Sequence, residues 1–298
     1  MRGQTIPGQA AGLVKAPGMM ADVGRSSGAK RVGRGALKRA AAAHDLLRRP
    51  QPGLVVLCYH RVGRRTTSRV DLPSELFEEQ MARLAAGPGV VDLDGALTVL
   101  TGPAPSEPGA VVITFDDGTA DFVEEALPIL VRHRVPATLY VATDFVERGR
   151  PFPGSGTALS WSALADAVST GLVTVGSHTD THALMDRLPE AAVDGELDRS
   201  ISLIGERLGV EARHFAYPKA LAPTPAADRA VRARFASAAL AGTRANPYGG
   251  TDPYRLARSP VQVDDGLDFF ARKVVGGMRM EDDLRRLVNR RRLAGATT

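Results

Sequence analysis

From residue 54 onward, short apolar runs alternate with helix-patterned segments, and few architectures accept that pattern. The runs are 54–60 (LVVLCYH), 110–115 (AVVITF), 136–142 (PATLYVA), 172–177 (LVTVGS), 213–217 (RHFAY), 236–240 (ASAAL) and the weaker 255–262. Runs this short, apolar and β-branched suit strands covered on both faces. Between them, apolar residues at three- and four-residue spacing predict helices over 120–133, 161–170 and 190–208, with fainter patterns at 225–235 and 265–275. A further helix is expected through FEEQMARLAA, with Ser74 as its cap. Strand followed by helix, repeated without an internal sequence repeat, predicts parallel strands with crossover helices in one α/β barrel. In such barrels the chemistry sits at the C-terminal ends of the strands, so the residues just past each run are the ones to search.

The ends of the chain read differently. Residues 1–50 hold ten Lys/Arg against two Asp, and residues 281–298 hold five Arg against three acids. The net charge of +5 therefore comes from the ends, and residues 51–280 carry a net −5. Residues 1–35 are rich in Gly, Ala, Ser and basic residues without a sustained period and read as a disordered basic extension. A short helix is expected over 36–49, ended by Pro50. The expected organisation is an extension (1–50), a catalytic domain (51–280) and a basic C-terminal helix or tail (281–298). A basic arm can bind phosphate or anionic lipid, but a solvated arm is the simpler reading, and no nucleic-acid partner is expected. Cys58 is the single cysteine, which excludes an intramolecular disulfide; within its apolar run it reads as a small buried residue. No run approaches a membrane span and no secretory signal is visible, so the chain as written reads as cytoplasmic. A misassigned start site would leave extracytoplasmic action open. Nothing in the sequence sets the oligomeric state.

Polar clusters follow the strand runs. Thr114-Phe115-Asp116-Asp117-Gly118 ends the second. Adjacent carboxylates at a strand mouth repel one another, and a cation would relieve them, with one Asp as ligand and the other free. The plain alternative is an Asp-Gly turn. Ser177-His178-Thr179-Asp180-Thr181-His182 ends the fourth run. If the chain turns helical there, His178 and His182 lie about one turn apart on one face and can grip one ion. Two imidazoles and a carboxylate form a catalytic metal set with coordination positions left open. Phe215-Ala216-Tyr217-Pro218-Lys219 ends the fifth run, where Pro218 fixes a loop whose next N–H, that of Lys219, can point into the mouth. His60 ends the first run and is a candidate general acid.

Together these residues resemble the polysaccharide deacetylases, the NodB-homology carbohydrate esterases, over roughly residues 54–275. The resemblance implies a distorted (β/α)7 barrel. It assigns Asp116 as the base and Asp117, His178 and His182 as ligands of a divalent metal, with zinc the expected ion. Two motifs depart from the common pattern. Ala216-Tyr217-Pro218-Lys219 stands where many members have Arg-x-Pro-Tyr, which leaves Arg258 as the candidate substitute for the missing arginine. No histidine follows His214, so the late Leu-x-His motif is absent. Tyr59-His60-Arg61-Val62, Phe215-Ala216-Tyr217-Pro218 and Asp252-Pro253-Tyr254-Arg255-Leu256 are similar to the exopolysaccharide-associated branch, in which an N-terminal histidine supplies the acid. That role falls to His60 here.

The expected reaction is hydrolysis of an N-acetyl group from an amino sugar of a glycan. Asp116 acts as base on a metal-activated water, the Lys219 N–H and the metal stabilise the oxyanion, Tyr217 and Pro218 shape the substrate side, and His60 protonates the departing amine. Two other readings compete: a metal-dependent deacylase or deformylase of a small N-acyl substrate, and a non-catalytic carbohydrate-binding protein on the same fold.

Overall fold

The computed structural model describes residues 28–87, 89–102, 109–152 and 156–283. Helix α1 (Gly28–Leu47) precedes the first barrel strand, β1 (Val55–Tyr59). A short parallel pair, β2 (Arg61–Val62) and β3 (Asp71–Leu72), leads to α2 (Ser74–Ala85) and α3 (Leu93–Thr101). Next come β4 (Val111–Phe115), a π-helical turn at Phe122–Ala126 continuing as α4 (Leu127–His133), and β5 (Ala137–Val141). They are followed by α5 (Thr143–Glu147), α6 (Trp161–Ser169), β6 (Val173–Ser177), α7 (Glu190–Leu208) and β7 (His214–Ala216). The chain closes with α8 (Pro225–Arg232), β8 (Ser237–Ala241), β9 (Leu256–Pro260) and α9 (Asp268–Val274).

Seven of these strands form one closed barrel in the order β1-β4-β5-β6-β7-β8-β9, every pairing parallel, with β9 returning to β1. All seven arise from the apolar runs of the sequence, and the expected (β/α)7 barrel is the architecture found. Period-two alternation gives each strand two jobs. Val55, Leu57 and Tyr59 of β1, with Ile113 and Phe115 of β4, pack under the surrounding helices. Val56, Val112, Tyr140, Ala216, Ala239 and Leu256 form a separate interior core with Leu93, Ala96 and Leu100 of α3, which closes the foot of the barrel. Each buried aliphatic chain contributes about 1.5–3 kcal/mol. Gly176 is required by this interior: a Cβ there would stand 2.7 Å from both the His214 carbonyl oxygen and the Tyr140 ring.

Two expectations change, and one helix appears where none was expected. Helix α1 begins at Gly28, ahead of the expected residue 36, so the part of the extension from 28 onward is helical rather than disordered. Residues 1–27 and 284–298 lie outside the described residues. Ser74 is the first residue of α2 and not its cap: Pro73 holds the cap position, and the Ser74 hydroxyl donates to Glu125 Oε2 at 2.8 Å. Helix α3 had no prediction. Its readable signal was Asp92, whose carboxylate accepts from the Gly95 N–H as an N-cap.

Candidate active site

The C-terminal mouth of the barrel opens into a cavity of about 370 Å³, lined by residues from the ends of β1, β4, β6, β8 and β9 and from the turn after β7. Strand alternation aims them inward. On β4, Val112 and Thr114 point inside, and Asp116 continues the series into the cavity; on β1 the series is Val56, Cys58, His60. On β9 it is Leu256, Arg258 and Pro260.

Asp116 and Asp117 are neighbours with opposite surroundings. Asp116 is 5% exposed and is held by Arg258, itself 2% exposed, through two parallel bonds of 2.5 and 2.8 Å. The guanidinium also stacks over Tyr140 at 5.3 Å and donates to Thr114 Oγ1 at 3.3 Å. Burial disfavours the Asp116 carboxylate, but Arg258, with His178 and His60, overrides it and holds the group well below the usual range. His60 Nε2 stands 3.9 Å from Asp116 Oδ2, and Cys58 Sγ lies 3.5 Å from that oxygen. Burial opposes the His60 imidazolium, yet Cys58, Asp116 and Asp117 outweigh it and push His60 up to about 10.

Asp117 adopts φ +78, and Gly118 after it φ +96. This left-handed step turns the Asp117 carboxylate away from Arg258 towards two imidazoles. Its Oδ1 is 3.7 Å from His178 Nε2 and 3.5 Å from His182 Nε2. His178 Nδ1 donates to the Ala216 carbonyl at 2.6 Å, which leaves the Nε2 lone pair facing Asp117. Burial, then His178, pushes His182 down to about 4, so its ring is neutral and ligand-ready at neutral pH.

The segment from His178 to His182 is not helical, which corrects the expected one-turn spacing. His178 N–H continues the sheet bonding to the Val141 carbonyl, and Thr179 (φ +63) and His182 (φ +60) are left-handed. The intervening side chains scaffold the loop instead. Asp180 accepts from Thr143 Oγ1 at 2.7 Å, and Thr181 gives Glu196 both its N–H and its hydroxyl. The rings still converge, with centroids 4.9 Å apart.

Two groups of potential metal ligands thus meet here, Asp117–His178–His182 and Cys58–His60–Asp116. Only the first fits a divalent cation. Among the described residues its carboxylate is paired with no Lys or Arg, whereas Asp116 is already paired with Arg258. Of the third cluster, Lys219 lines the cavity, with left-handed backbone at Lys219 (φ +55) and Ala220 (φ +53). Pro218 is buried and starts the 3-10 turn that carries Lys219. Tyr217 is elsewhere: alternation sends it into the outer core, edge-on to Phe215 at 5.0 Å. Its assignment to the substrate side is therefore not supported by placement. Cys58, read as a plain buried residue, and Gln262 both line the cavity; nothing local in the sequence marks either.

Residues 104–237 match the polysaccharide deacetylase family. No curated protein matches the sequence. Among solved structures, the chain is similar to IcaB from Ammonifex degensii, at 29% identity and TM-score 0.64 over 76% of this chain and 98% of that one. It shares its fold with the Streptococcus pyogenes deacetylase PplD, solved in complex with acetate (18% identity, TM-score 0.66, 75% and 99% covered). The same holds for a de-N-acetylase from Aggregatibacter actinomycetemcomitans (19%, TM-score 0.60, 73% and 99%). Both motifs thus stand at the mouth of a seven-stranded parallel barrel, and over residues 104–237 the chain is similar to the polysaccharide deacetylase family.

Proposed function

We propose that this cavity hydrolyses the N-acetyl amide of an amino sugar in a glycan, with a divalent cation held by Asp117, His178 and His182. The observation that carries the reading is the division of labour between adjacent carboxylates: Asp116 faces Arg258, and Asp117 faces two imidazoles. Zinc suits two imidazoles and one carboxylate, and when bound such a cation acidifies water and polarises the amide carbonyl.

The chain's own residues do the rest. Asp116, kept ionised and fixed in plane by Arg258, accepts the proton of the attacking water. Arg258 takes the place of the arginine absent at Ala216, and strong pairing makes Asp116 a well-aimed but weak base. His60, protonated at neutral pH, delivers its proton to the departing amine, a poor leaving group without it. The Lys219 backbone is the candidate donor to the oxyanion. Residues 51–280 serve as the catalytic domain.

A second reading, a small N-acyl substrate, is favoured by one observation: no Phe, Tyr or Trp side chain lines the cavity among the described residues. Trp161 is on α6, bonded to Glu147 Oε2 at 2.7 Å. No helix of the described chain is long and apolar enough to cross a membrane. Acetate release should be assayed on N-acetylglucosamine monomer and oligomers, with the protein's metal content measured beside it. Release that rises with oligomer length supports the glycan; release from the monomer alone supports the second reading. No release from any substrate by metal-replete protein would sink both.

A further inference from the structure

One polar side chain in the cavity wall has one end fastened and the other unused. Gln262, half-buried after β9, accepts at Oε1 from Arg69 Nη2 at 2.6 Å. The capping box of the 3-10 turn Val263–Asp265 brings the Asp265 backbone N–H to the same side chain. Both partners are donors, so the amide must turn its oxygen to them and its nitrogen elsewhere. That nitrogen has no acceptor among the described residues. Arg69 is fixed in turn by Asp264, at 2.7 and 2.8 Å from Nη2.

Behind Gln262 lies a buried ionic cluster. Asp265 is 2% exposed and stands between Lys38 and Lys273, each 1% exposed. Lys273 Nζ donates to Asp265 Oδ2 and to the Pro260 carbonyl, both at 2.7 Å. The Gln262 N–H donates to Asp265 Oδ2 at 2.8 Å. The cluster therefore fastens both ends of the Pro260–Asp265 segment, which gives the cavity two wall residues, Pro260 and Gln262. A buried ion set is a poor stabiliser compared with apolar packing, and its attested use is to fix one geometry. Lys38 comes from α1, outside the barrel.

We propose that Gln262 is a specificity-determining residue whose amide N–H donates to a hydroxyl or carbonyl oxygen of the bound sugar. Lys38 and Asp265 are positioning residues that act through it. This rests on the deacetylase reading of the same cavity.

The test is steady-state turnover of N-acetylglucosamine oligomers with direct binding of those oligomers by calorimetry. Gln262→Met, which keeps length and removes the donor, should raise KM and the dissociation constant about tenfold, the effect of one lost hydrogen bond. Turnover number and metal content should not change. Lys38→Met should raise KM in the parent protein but add nothing in the Gln262→Met background. An equal added rise there overturns the positioning role, since general loosening would act in both backgrounds. Turnover by the parent protein with KM unchanged in Gln262→Met overturns the inference alone. Neither turnover nor binding by the parent protein overturns the deacetylase reading and this inference together.

Discussion

The foot and the mouth of the barrel are made by the same strands and hold opposite chemistries. At the foot, Val56, Val112 and Leu256 interdigitate with α3 in an apolar core. Two residues further along the same inward faces come Cys58, Thr114 and Arg258, and beyond the first two stand His60 and Asp116. Direction of facing is set by alternation, and role is set by height along the strand. The mouth also concentrates unfavourable backbone. Of eight non-glycine residues with positive φ in the described chain, five (Asp117, Thr179, His182, Lys219 and Ala220) are in the loops that form it. Such residues cost about 1–3 kcal/mol each and persist where surrounding structure enforces them. The foot supplies stability, and the mouth uses it to hold charges and bends that would not form alone.

The contrast can be broken by substitution at either end. The largest effect is expected from His178→Ala, which removes an inward imidazole and its bond to Ala216: metal content and acetate release should fall to background together while the far-ultraviolet dichroism stays that of the parent. Asp116→Asn should keep the metal and lower turnover by about 10²–10⁴-fold, the range of a lost general base. Arg258→Met should cost stability as well, about 3–5 kcal/mol in denaturant unfolding, because a buried carboxylate is left without its cation. The sign with pH follows. The depressed Asp116 value gives stability that is present above its unfolded value and lost as pH falls towards the folded one. In Arg258→Met burial is left without its main counterweight, so that acid-side loss should shrink and the deficit against the parent should narrow as pH falls. At the foot, Leu54→Ala should cost about 2–5 kcal/mol and leave KM and the pH profile of the folded enzyme unaltered.

The smallest shift expected is in pH dependence. His60 is raised above its ordinary value, so its stabilising contribution is full below about 6.5 and is lost as pH rises towards about 10. The alkaline limb of turnover should lie well above 6.5 and vanish in His60→Gln. A limb unchanged in that variant would move the acid to another residue.

Much of this was legible in the sequence because burial writes itself locally. Each barrel strand is an apolar run; Asp116 and His178 follow one directly, and Asp117 and His182 lie within the next few residues. What was not legible depends on contacts far apart in the chain. The Arg258–Asp116 pair spans 142 residues, and position alone offered Arg258 only as a candidate. Lys38 to Asp265 spans 227, joining a basic segment that reads as an arm to the cavity wall. The His178–His182 loop defeated the helical reading because Thr179, Asp180 and Thr181 can all satisfy backbone or side-chain partners outside a helix. Tyr217 was misplaced by motif spacing, since alternation puts it on the face opposite Ala216.

On the proposed function the adjacent carboxylates are divided, Asp117 for the cation and Asp116 for the proton. Its most direct test is metal titration of the parent protein, Asp117→Asn and Asp116→Asn by calorimetry with elemental analysis. One divalent ion per chain is expected in the parent and in Asp116→Asn, and none in Asp117→Asn. Parent-like binding by Asp117→Asn, or its loss in Asp116→Asn, would contradict it.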